Sequence, residues 1–497
     1  MLRDRSAPVD LFALVPALGL RFEPELAELD RLLEDDQIFQ RVKADLSRRR
    51  PHTTETGRPS TPVEVVLRLL VVQHLYAWSY AQTEHFVGDS LVLRQFCRLG
   101  LDPVPHHTTL MRWSNLLQPQ TMHRLLDRVT ELARSLKVTR GRKLRVDSTV
   151  VATAIHYPTD STLLFDGVRV LSRLIQRASL VLTGRRRGVG AQRTRAAKQL
   201  VRRIEATAAA HATAGDRAER PTLYRQLLGL AQTSLDQAER VRHTLAARAE
   251  ATVQPLHSAL GHMAELVQQV IAQTERRVLQ GETVPASAKL VSLFEPHTAI
   301  VRRGKAHLPA EFGRKIMFDE VEGGLVTRYS VLAGNPPDAP ELPHSLAHHQ
   351  TCFGQVPTVL TADRAFFTFD NERLAHDLHI RSVALPRQGP LTPKQKEVRH
   401  AVAFLRAYRW RAGIEGRISV LKRRFGLARC RYHGEQGMER WVGWGPPRPQ
   451  PAPDQPIGRL RNGPLTGWSS SATPVDRPLL TNPKTDSPGF CTGNLLS

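Results

Sequence analysis

The sequence predicts an α/β fold in which a mixed sheet with flanking helices is interrupted by a helical insertion and preceded by an all-α region. Three features lead to this prediction. Short β-branched segments within residues 141–170 and 286–445 alternate with helical patterns. Residues 171–285 are rich in Ala, Arg, Gln and Leu and break that alternation. Residues 1–140 carry apolar side chains at helical spacing.

The amino-terminal region is expected to be helical. Residues 62–113 repeat apolar side chains with the period of a helix, as at Val65 and Leu69. A loop with two prolines then precedes Thr108, which is expected to cap a short helix that carries Arg112. A helix-turn-helix and a plain helical bundle both fit this pattern.

Two strand-forming segments each carry an aspartate. Residues 143–152, KLRVDSTVVA, form a β-branched run with Asp147 in its middle, and residues 357–366, PTVLTADRAF, contain a short apolar run that ends in Asp363. An unpaired buried carboxylate is costly, and open sheets place their ligands at the carboxyl ends of strands. Each aspartate alone also fits a helix cap or a turn. Taken with a third acid further along the chain, they predict a functional site.

The insertion and the segment after it have distinct patterns. Helical spacing of apolar residues within 227–235 and 256–267 predicts a helical hairpin or a small bundle. Residues 315–321 and 325–333 then alternate around two glycines, which is typical of two antiparallel strands joined by a tight turn. The acids at this hairpin are expected to be solvated: Asp319, Glu320 and Glu322. Three histidines in the next, polar helix are expected at the surface: His344, His348 and His349.

The most informative segment is YRWRAGIEGRISVLK, which sets four polar residues at helical spacing. The steps of three, four and seven place these residues on one helix face: Tyr408, Arg411, Glu415 and Lys422. A second, apolar stripe predicts the buried side: Ile414, Ile418, Leu421 and Phe425. A carboxylate bracketed by cations suits a metal held beside phosphate. An ordinary solvated helix face has the same pattern, and the two aspartates favour the functional interpretation.

Composition indicates a nucleic-acid partner. The 497 residues have a formal net charge of +23 and a pI near 10.7, which is in the range expected for a protein whose affinity rests on phosphate contacts. Charge alone does not distinguish DNA from RNA. A basic run opens the insertion and fits either a nucleic-acid contact or a solvated face: Arg185, Arg186, Arg187, Arg193, Arg195, Lys198, Arg202 and Arg203.

With these residues the chain resembles DDE-type insertion-sequence transposases, which have a ribonuclease-H-like catalytic core. The helix matches their Y-x2-R-x3-E-x6-K signature at every position. Further segments are similar to a bacterial group of not-classified-yet insertion sequences: VDSTVVATAIHYPTDSTLL, LFEPHT, KIMFDEVEGGLVTRY, ADRAF and RRFGLARCRYHG. The resemblance covers roughly residues 60–445. It implies that Asp147, Asp363 and Glu415 are the catalytic, metal-binding triad, and that the amino-terminal region with Arg112 binds the ends of the element.

The chemistry of this family requires several carboxylates. Two divalent ions about 4 Å apart assist in-line attack on a phosphodiester, and oxygen ligands favour Mg²⁺, with Mn²⁺ as a substitute. Either Lys422 or Arg411 would then contact DNA phosphate or pair with Glu415. Tyr408 would pack against a sugar or close the helix onto the core. The expected partners are double-stranded DNA, with its terminal inverted repeats and target DNA, and at least one further copy of the chain.

Cysteine usage and hydropathy indicate a cytoplasmic protein, and the expected DNA partner implies association with the nucleoid. The four cysteines contain no C-x-x-C pair, so their spacing indicates neither a zinc site nor a disulfide framework: Cys97, Cys352, Cys430 and Cys491. Prolines interrupt the short apolar patch at the start of the chain, so neither a membrane span nor a secretory signal is predicted.

The carboxyl-terminal segment departs from the family. Where the family continues with a final apolar helix, residues 446–497 open with six prolines and continue as a polar stretch, which predicts disorder. A frameshift near codon 446 would produce such a junction, and it raises the alternative of an inactive remnant that binds element ends. A second alternative, a ribonuclease-H-like nuclease, would have the same core, but the helix signature argues against it.

Overall fold

The computed structural model describes most of the first 445 residues. The described residues are 1–5, 22–49, 52, 55–56, 59–184, 190–209, 212–248, 253–302, 310–387 and 389–445. The predicted disorder of residues 446–497 and the first three arginines of the basic run lie outside them.

Helices make up the described part of the amino-terminal region, as predicted. They are α1 (Pro24–Leu33), α2 (Asp36–Ser47), α3 (Val63–Leu75), α4 (Tyr80–Asp89), α5 (Leu91–Phe96), α6 (His107–Ser114) and α7 (Pro119–Ser135). Val65 and Leu69 are both buried. The predicted cap of α6 was wrong: the helix begins at His107, so Thr108 already lies in its first turn, and the side chain of His106 accepts the Thr108 N–H.

A six-stranded mixed sheet follows. Its strands are β1 (Lys143–Ala152), β2 (Ala299–Val301), β3 (Glu311–Val321), β4 (Leu325–Leu332), β5 (Val359–Ala362) and β6 (Ser382–Ala384). The order is β2–β3–β1–β5–β6, and β4 also pairs with β3. The pairs of β3 with β1, β2 and β4 are antiparallel, whereas β1–β5 and β5–β6 are parallel. The predicted hairpin is confirmed as β3–β4, and both turn glycines have positive φ, 86° at Gly323 and 77° at Gly324.

Among the described residues, four α-helices lie between β1 and β2 and have their own core. They are α8 (Asp160–Thr183), α9 (Ala191–Thr207), α10 (Ala214–Ala246) and α11 (Gln254–Thr274). Their buried residues form an apolar cluster distinct from the one beneath the amino-terminal helices. The helical patterns read from the sequence are confirmed, since Leu227, Ala231, Leu260 and Val267 are buried in that cluster.

The remaining helices cover both faces of the sheet. They are α12 (Glu341–Phe353), α13 (Phe369–Asp377), α14 (Pro393–His400), α15 (Val402–Arg424) and α16 (Gly434–Gly443). Leu144 and Val146 of β1 pack with α12 and α13 on one face. The intervening Arg145 points to the other face and contacts α15, which also packs against β5 and β6. None of the described helices combines the length and apolar composition that crossing a membrane requires.

The expected solvation of the hairpin acids was wrong. Asp319 and Glu320 are almost completely buried, at 1% and 0% exposure. Ser345 donates a hydrogen bond to Asp319, and arginines neutralise Glu320. Glu322 accepts backbone N–H bonds from residues 140, 142 and 143, just before and at the start of β1. Partners distant in the chain therefore compensate the cost of burying these carboxylates.

The expected exposure of the three histidines was wrong for His349. It is buried at 1% exposure, and its Nε2 lies 2.9 Å from the carbonyl oxygen of Gly141, to which it donates. Burial lowers the pKa of His349 to about 4, so its ring is neutral at physiological pH. His348 is half-buried, and His344 is exposed as expected.

Candidate active site

The strand register brings two of the three predicted acids together. β1 and β5 run parallel, and Val146 is paired with Ala362. Asp147 and Asp363 therefore follow neighbouring positions on adjacent strands, about 4.8 Å apart in the pairing direction. Because Val146 and Ala362 both point into the core with α12 and α13, the two aspartates point to the opposite face, where α15 lies.

Short local hydrogen bonds orient both aspartates. Asp147 accepts the backbone N–H of Ser148 at 2.7 Å. Asp363 lies immediately after β5 and accepts the backbone N–H of Ala365 at 2.8 Å, where it caps a single 3₁₀ turn. The capping role that the sequence left open for Asp363 is therefore present, and it leaves further oxygen lone pairs available for a ligand.

The helix α15 supplies Glu415. Three residues of the predicted apolar stripe are buried, Ile414, Leu421 and Phe425, whereas Ile418 is only half-buried. The Glu415 side chain is 60% exposed, and Arg411, only 14% exposed, donates to it at 2.7 Å. Arg411 is thus a cation that holds Glu415, one of the two roles that the sequence left open.

The electrostatic surroundings of Asp147 include the other two acids. The pKa of Asp147 is raised from 3.8 to about 6, mainly because burial removes water from the carboxylate. The charges of Asp363 and Glu415 raise this pKa further, while the Ser148 N–H and Arg411 oppose the rise. Asp147 is thus a half-buried, poorly solvated carboxylate with two acidic neighbours.

The acids are spaced more widely than ligands of one ion. In the described part of the chain, two groups have three donor atoms all within 4.8 Å of one another: Glu84, His106 and His107, and Asp127, His348 and Cys352. The three acids do not form a third such group. A site that shares two ions tolerates this wider spacing.

The other predicted site residues lie at different places. Tyr408 is 39% exposed and contacts its own helix, with the Arg411 guanidinium 5.3 Å from its ring centre. Lys422 lies two turns beyond Glu415, about 10 Å along the helix axis. It lines a groove of about 660 Å³ together with Tyr157 and other residues. Arg112 is exposed in the last turn of α6, and its contact with DNA stays a prediction.

A buried ion-pair network, missed by the sequence analysis, holds α15 on the sheet. Arg145 donates to both carboxylate oxygens of Glu320, at 2.6 and 3.1 Å, and to the carbonyl of Trp410 at 2.6 Å. Arg417 approaches the same carboxylate at 3.5 Å. A Cβ on Gly413 would lie 2.2 Å from Arg145 Nη1, so the helix comes this close only because residue 413 is glycine.

Two signals in the sequence pointed toward this network. Arg145 stands two residues before Asp147 in a strand, and Arg417 stands two residues after Glu415 on a helix. A charged side chain between apolar residues of a strand requires a partner when it is buried. The partner, Glu320, is opposite Arg145 in the β1–β3 register, which the sequence does not reveal.

Two segments of the chain match known transposase families. Residues 20–116 match the family described as Transposase domain (DUF772), and residues 316–444 match the family described as Transposase DDE domain. Neither a curated protein nor a solved structure matches the chain at a significant level. The matches support a DDE-type insertion-sequence transposase.

The two matches cover different parts of the chain, and only the second includes acids of the candidate site. The DDE match includes Asp363, Glu415 and α15, but it begins in β3 and leaves Asp147 outside. The place of Asp147 beside Asp363 therefore rests on the β1–β5 register. The helices α8–α11 lie outside both matches, and the amino-terminal match ends just after α6.

Proposed function

We propose that this chain is a DNA transposase that cuts the ends of an insertion sequence and joins them to target DNA. The observation that carries the proposal is the register that sets Asp147 beside Asp363, on the sheet face against which α15 packs with Glu415. The raised pKa of Asp147 supports it, since perturbed carboxylates are typical of functional sites.

The arrangement of strands supports a ribonuclease-H-like core. Antiparallel strands β4, β3 and β1 are followed by parallel strands β5 and β6, with helices on both faces. We infer that residues 141–170 and 286–445 form this core, and that residues 171–285 form an insertion within it. The separate apolar cluster of α8–α11 supports the second inference.

The acids fit the divalent cations that this chemistry uses. Asp147 is a desolvated carboxylate whose neighbours add negative charge, and a bound cation would relieve this repulsion. Asp147, Asp363 and Glu415 would hold Mg²⁺, or Mn²⁺ in its place, because all three offer hard oxygen ligands. When bound, two such ions activate the attacking oxygen and stabilise the leaving oxygen during phosphodiester chemistry.

The protein's own groups would position these ligands. Arg411 orients Glu415 through their hydrogen bond at 2.7 Å. Arg145 fixes the neighbouring turn of α15 through the Trp410 carbonyl and joins it to β3 through Glu320. A site of this kind depends on the rigidity of the groups that support it.

The charge of the chain supports DNA as the substrate. A net charge of +23 favours phosphate contacts over the whole surface. We propose that the amino-terminal helices, with Arg112, recognise the element ends, and that Lys422 contacts phosphate from the groove that it lines. Because two ends are cut, the working complex would contain at least two copies of the chain. The DNA would be met in the cytoplasm, at the nucleoid.

A strand-transfer assay with the DNA that flanks the gene tests this function. The wild-type protein should cut and join end fragments with Mg²⁺ or Mn²⁺ and should be inactive with EDTA. Asp147→Ala, Asp363→Ala and Glu415→Ala should each abolish cutting and retain gel shifts of the same DNA. Glu397→Ala, which changes an exposed acid on the adjacent α14, is the matched control and should remain active.

The outcome also separates the alternatives. Cutting without joining would favour the ribonuclease-H-like nuclease. Binding without cutting by the wild-type protein would favour the inactive remnant. Cutting that survives one of the three substitutions would remove that acid from the proposed triad.

A further inference from the structure

A second cluster of metal-ligand types lies between α7 and α12, apart from the three acids. Asp127 comes from α7, and His348 and Cys352 come from α12, where their separation of four residues places them on one helix face. Cys352 Sγ lies 3.3 Å from His348 Nε2, and Asp127 Oδ1 lies 3.8 Å from the same nitrogen. All three donor atoms lie within 4.8 Å of one another.

These distances resemble the edges of a tetrahedral zinc site. Zinc bonds of about 2.3 Å to sulfur and about 2.0–2.1 Å to nitrogen and oxygen give ligand-to-ligand edges of roughly 3.3–3.6 Å. We propose that Asp127, His348 and Cys352 bind a zinc-type divalent cation that fastens α7 to α12. A thiolate and an imidazole favour such an ion over Mg²⁺, so this site is chemically distinct from the three carboxylates.

The geometry argues against a nucleophilic Cys–His–Asp triad. In such a triad the histidine uses one ring nitrogen for the nucleophile and the other for the acid. Here the sulfur and the carboxylate oxygen both approach Nε2 of His348. Donors that converge on one point suit an ion placed between them.

Binding would follow a simple proton balance. Cys352 would release its thiol proton to solvent, and the Nε2 proton of His348 would move to Nδ1, so that sulfur and nitrogen each offer a lone pair. The hydrogen bond that His348 now makes to the Thr327 carbonyl, at 3.1 Å, would be replaced by the metal bond.

Glu131 or a water molecule would supply the fourth ligand. Glu131 lies one turn beyond Asp127 on α7 and now accepts a hydrogen bond from Arg128 at 2.7 Å. Burial raises the pKa of the Cys352 thiol to about 11, and the charges of Asp127 and Glu131 contribute to that rise.

The cluster lies where the amino-terminal helices join the sheet. α7 leads into β1, and α12 leads into β5. Direct contacts already connect the two helices and the segment between α7 and β1: Arg134 donates to the Cys352 carbonyl, and His349 to that of Gly141. A cation at the cluster would fix the two helices that precede the strands carrying Asp147 and Asp363.

Cobalt titration of the full-length protein, purified without an affinity tag and kept reduced with a phosphine, tests the proposal. One Co²⁺ per chain should bind with the near-ultraviolet charge-transfer absorption of a thiolate ligand, and Zn²⁺ should displace it one for one. Cys352→Ser should abolish this absorption, and His348→Ala should weaken binding more than about 100-fold, beyond the 10–100-fold cost of losing a merely supporting group. His344→Ala, on an exposed position of the same helix, should behave as wild type.

Two comparisons keep this site separate from the three acids. The cobalt absorption should survive Asp147→Ala and a large excess of Mg²⁺, so failure of the proposed transposase function would leave it unchanged. Its loss in Asp147→Ala would overturn the proposal, as would wild-type protein that binds Co²⁺ without the thiolate absorption.

A measurement on the wild-type protein tests the site even if the variants fail to fold. Zn²⁺ should slow alkylation of Cys352 at least about tenfold, as followed by mass spectrometry of its peptide, while alkylation of the other cysteines changes little. Equal alkylation of Cys352 with and without Zn²⁺ would overturn the proposal.

Discussion

Replacing Asp147 by Asn should make the metal-free protein more stable at neutral pH. The pKa of Asp147 is about 6 in the folded protein against an ordinary value of 3.8. Each unit of pKa corresponds to 1.36 kcal/mol, so ionised Asp147 destabilises the folded state by about 3 kcal/mol at pH 7. Asn has nearly the same shape, keeps an oxygen for the Ser148 N–H, and carries no charge.

The pH dependence has a definite sign. Because the folded-state pKa is raised, the folded protein holds the proton more tightly than the unfolded chain does. The free energy of unfolding of the wild-type protein therefore carries no penalty from Asp147 below about pH 4, and it decreases as the pH rises through about 6. The advantage of Asn should be about 3 kcal/mol at pH 7 and only about 1 kcal/mol at pH 4.5.

Urea denaturation in EDTA at both pH values measures this difference. Asp377→Asn, at an exposed position of α13, is the matched control. Adding Mg²⁺ should stabilise the wild type and leave Asp147→Asn unchanged, which reduces or reverses the difference between them. The reasoning would be refuted if Asp147→Asn were no more stable than wild type at pH 7, or if its advantage were the same at both pH values.

Three further outcomes follow from the site and its supports. Glu320→Gln should lower the free energy of unfolding by about 3–5 kcal/mol, measured by urea denaturation, because it leaves two buried arginines without their counter-charge. A loss below about 1 kcal/mol would show that water reaches these arginines. Gly413→Ala should lower the free energy of unfolding by about 1–3 kcal/mol, measured by thermal unfolding, because its Cβ would lie 2.2 Å from Arg145. Gly416→Ala is the control: its Cβ would have no atom within 4 Å, so helix propensity should raise the free energy of unfolding by about 0.5–1 kcal/mol. Equal effects of the two substitutions would contradict the close approach of α15 to Arg145. Arg112→Ala should weaken gel-shift binding to end DNA and reduce the salt slope by about 0.9, the value for one phosphate contact, and an unchanged slope would remove it from the interface.

Local pattern was sufficient for the elements around the candidate site. The helix that carries Glu415 was predicted because its apolar residues repeat with the period of a helix, and Ile414 and Leu421 are indeed buried. The β3–β4 hairpin was predicted because alternation and a glycine turn are also local signals. Such signals depend on residues a few positions apart, so the prediction of these elements does not require knowledge of the tertiary contacts.

Charged and polar residues in the interior were predicted poorly. Glu320 and His349 were expected in solvent, and both are buried. A polar side chain can be buried only when partners satisfy it, and these partners, Arg145 and the Gly141 carbonyl, come from distant parts of the chain. The cluster of Asp127, His348 and Cys352 escaped notice for the same reason, since its ligands come from two separate helices.

The sequence by itself determined which acids were candidates, the type of element that carries each, and the basic character of the whole chain. The tertiary structure decided that Asp147 and Asp363 are neighbours, because the parallel register of β1 and β5 joins segments that the insertion separates in the chain. It also decided that Asp147 is desolvated, because its burial depends on how the elements around β1 pack.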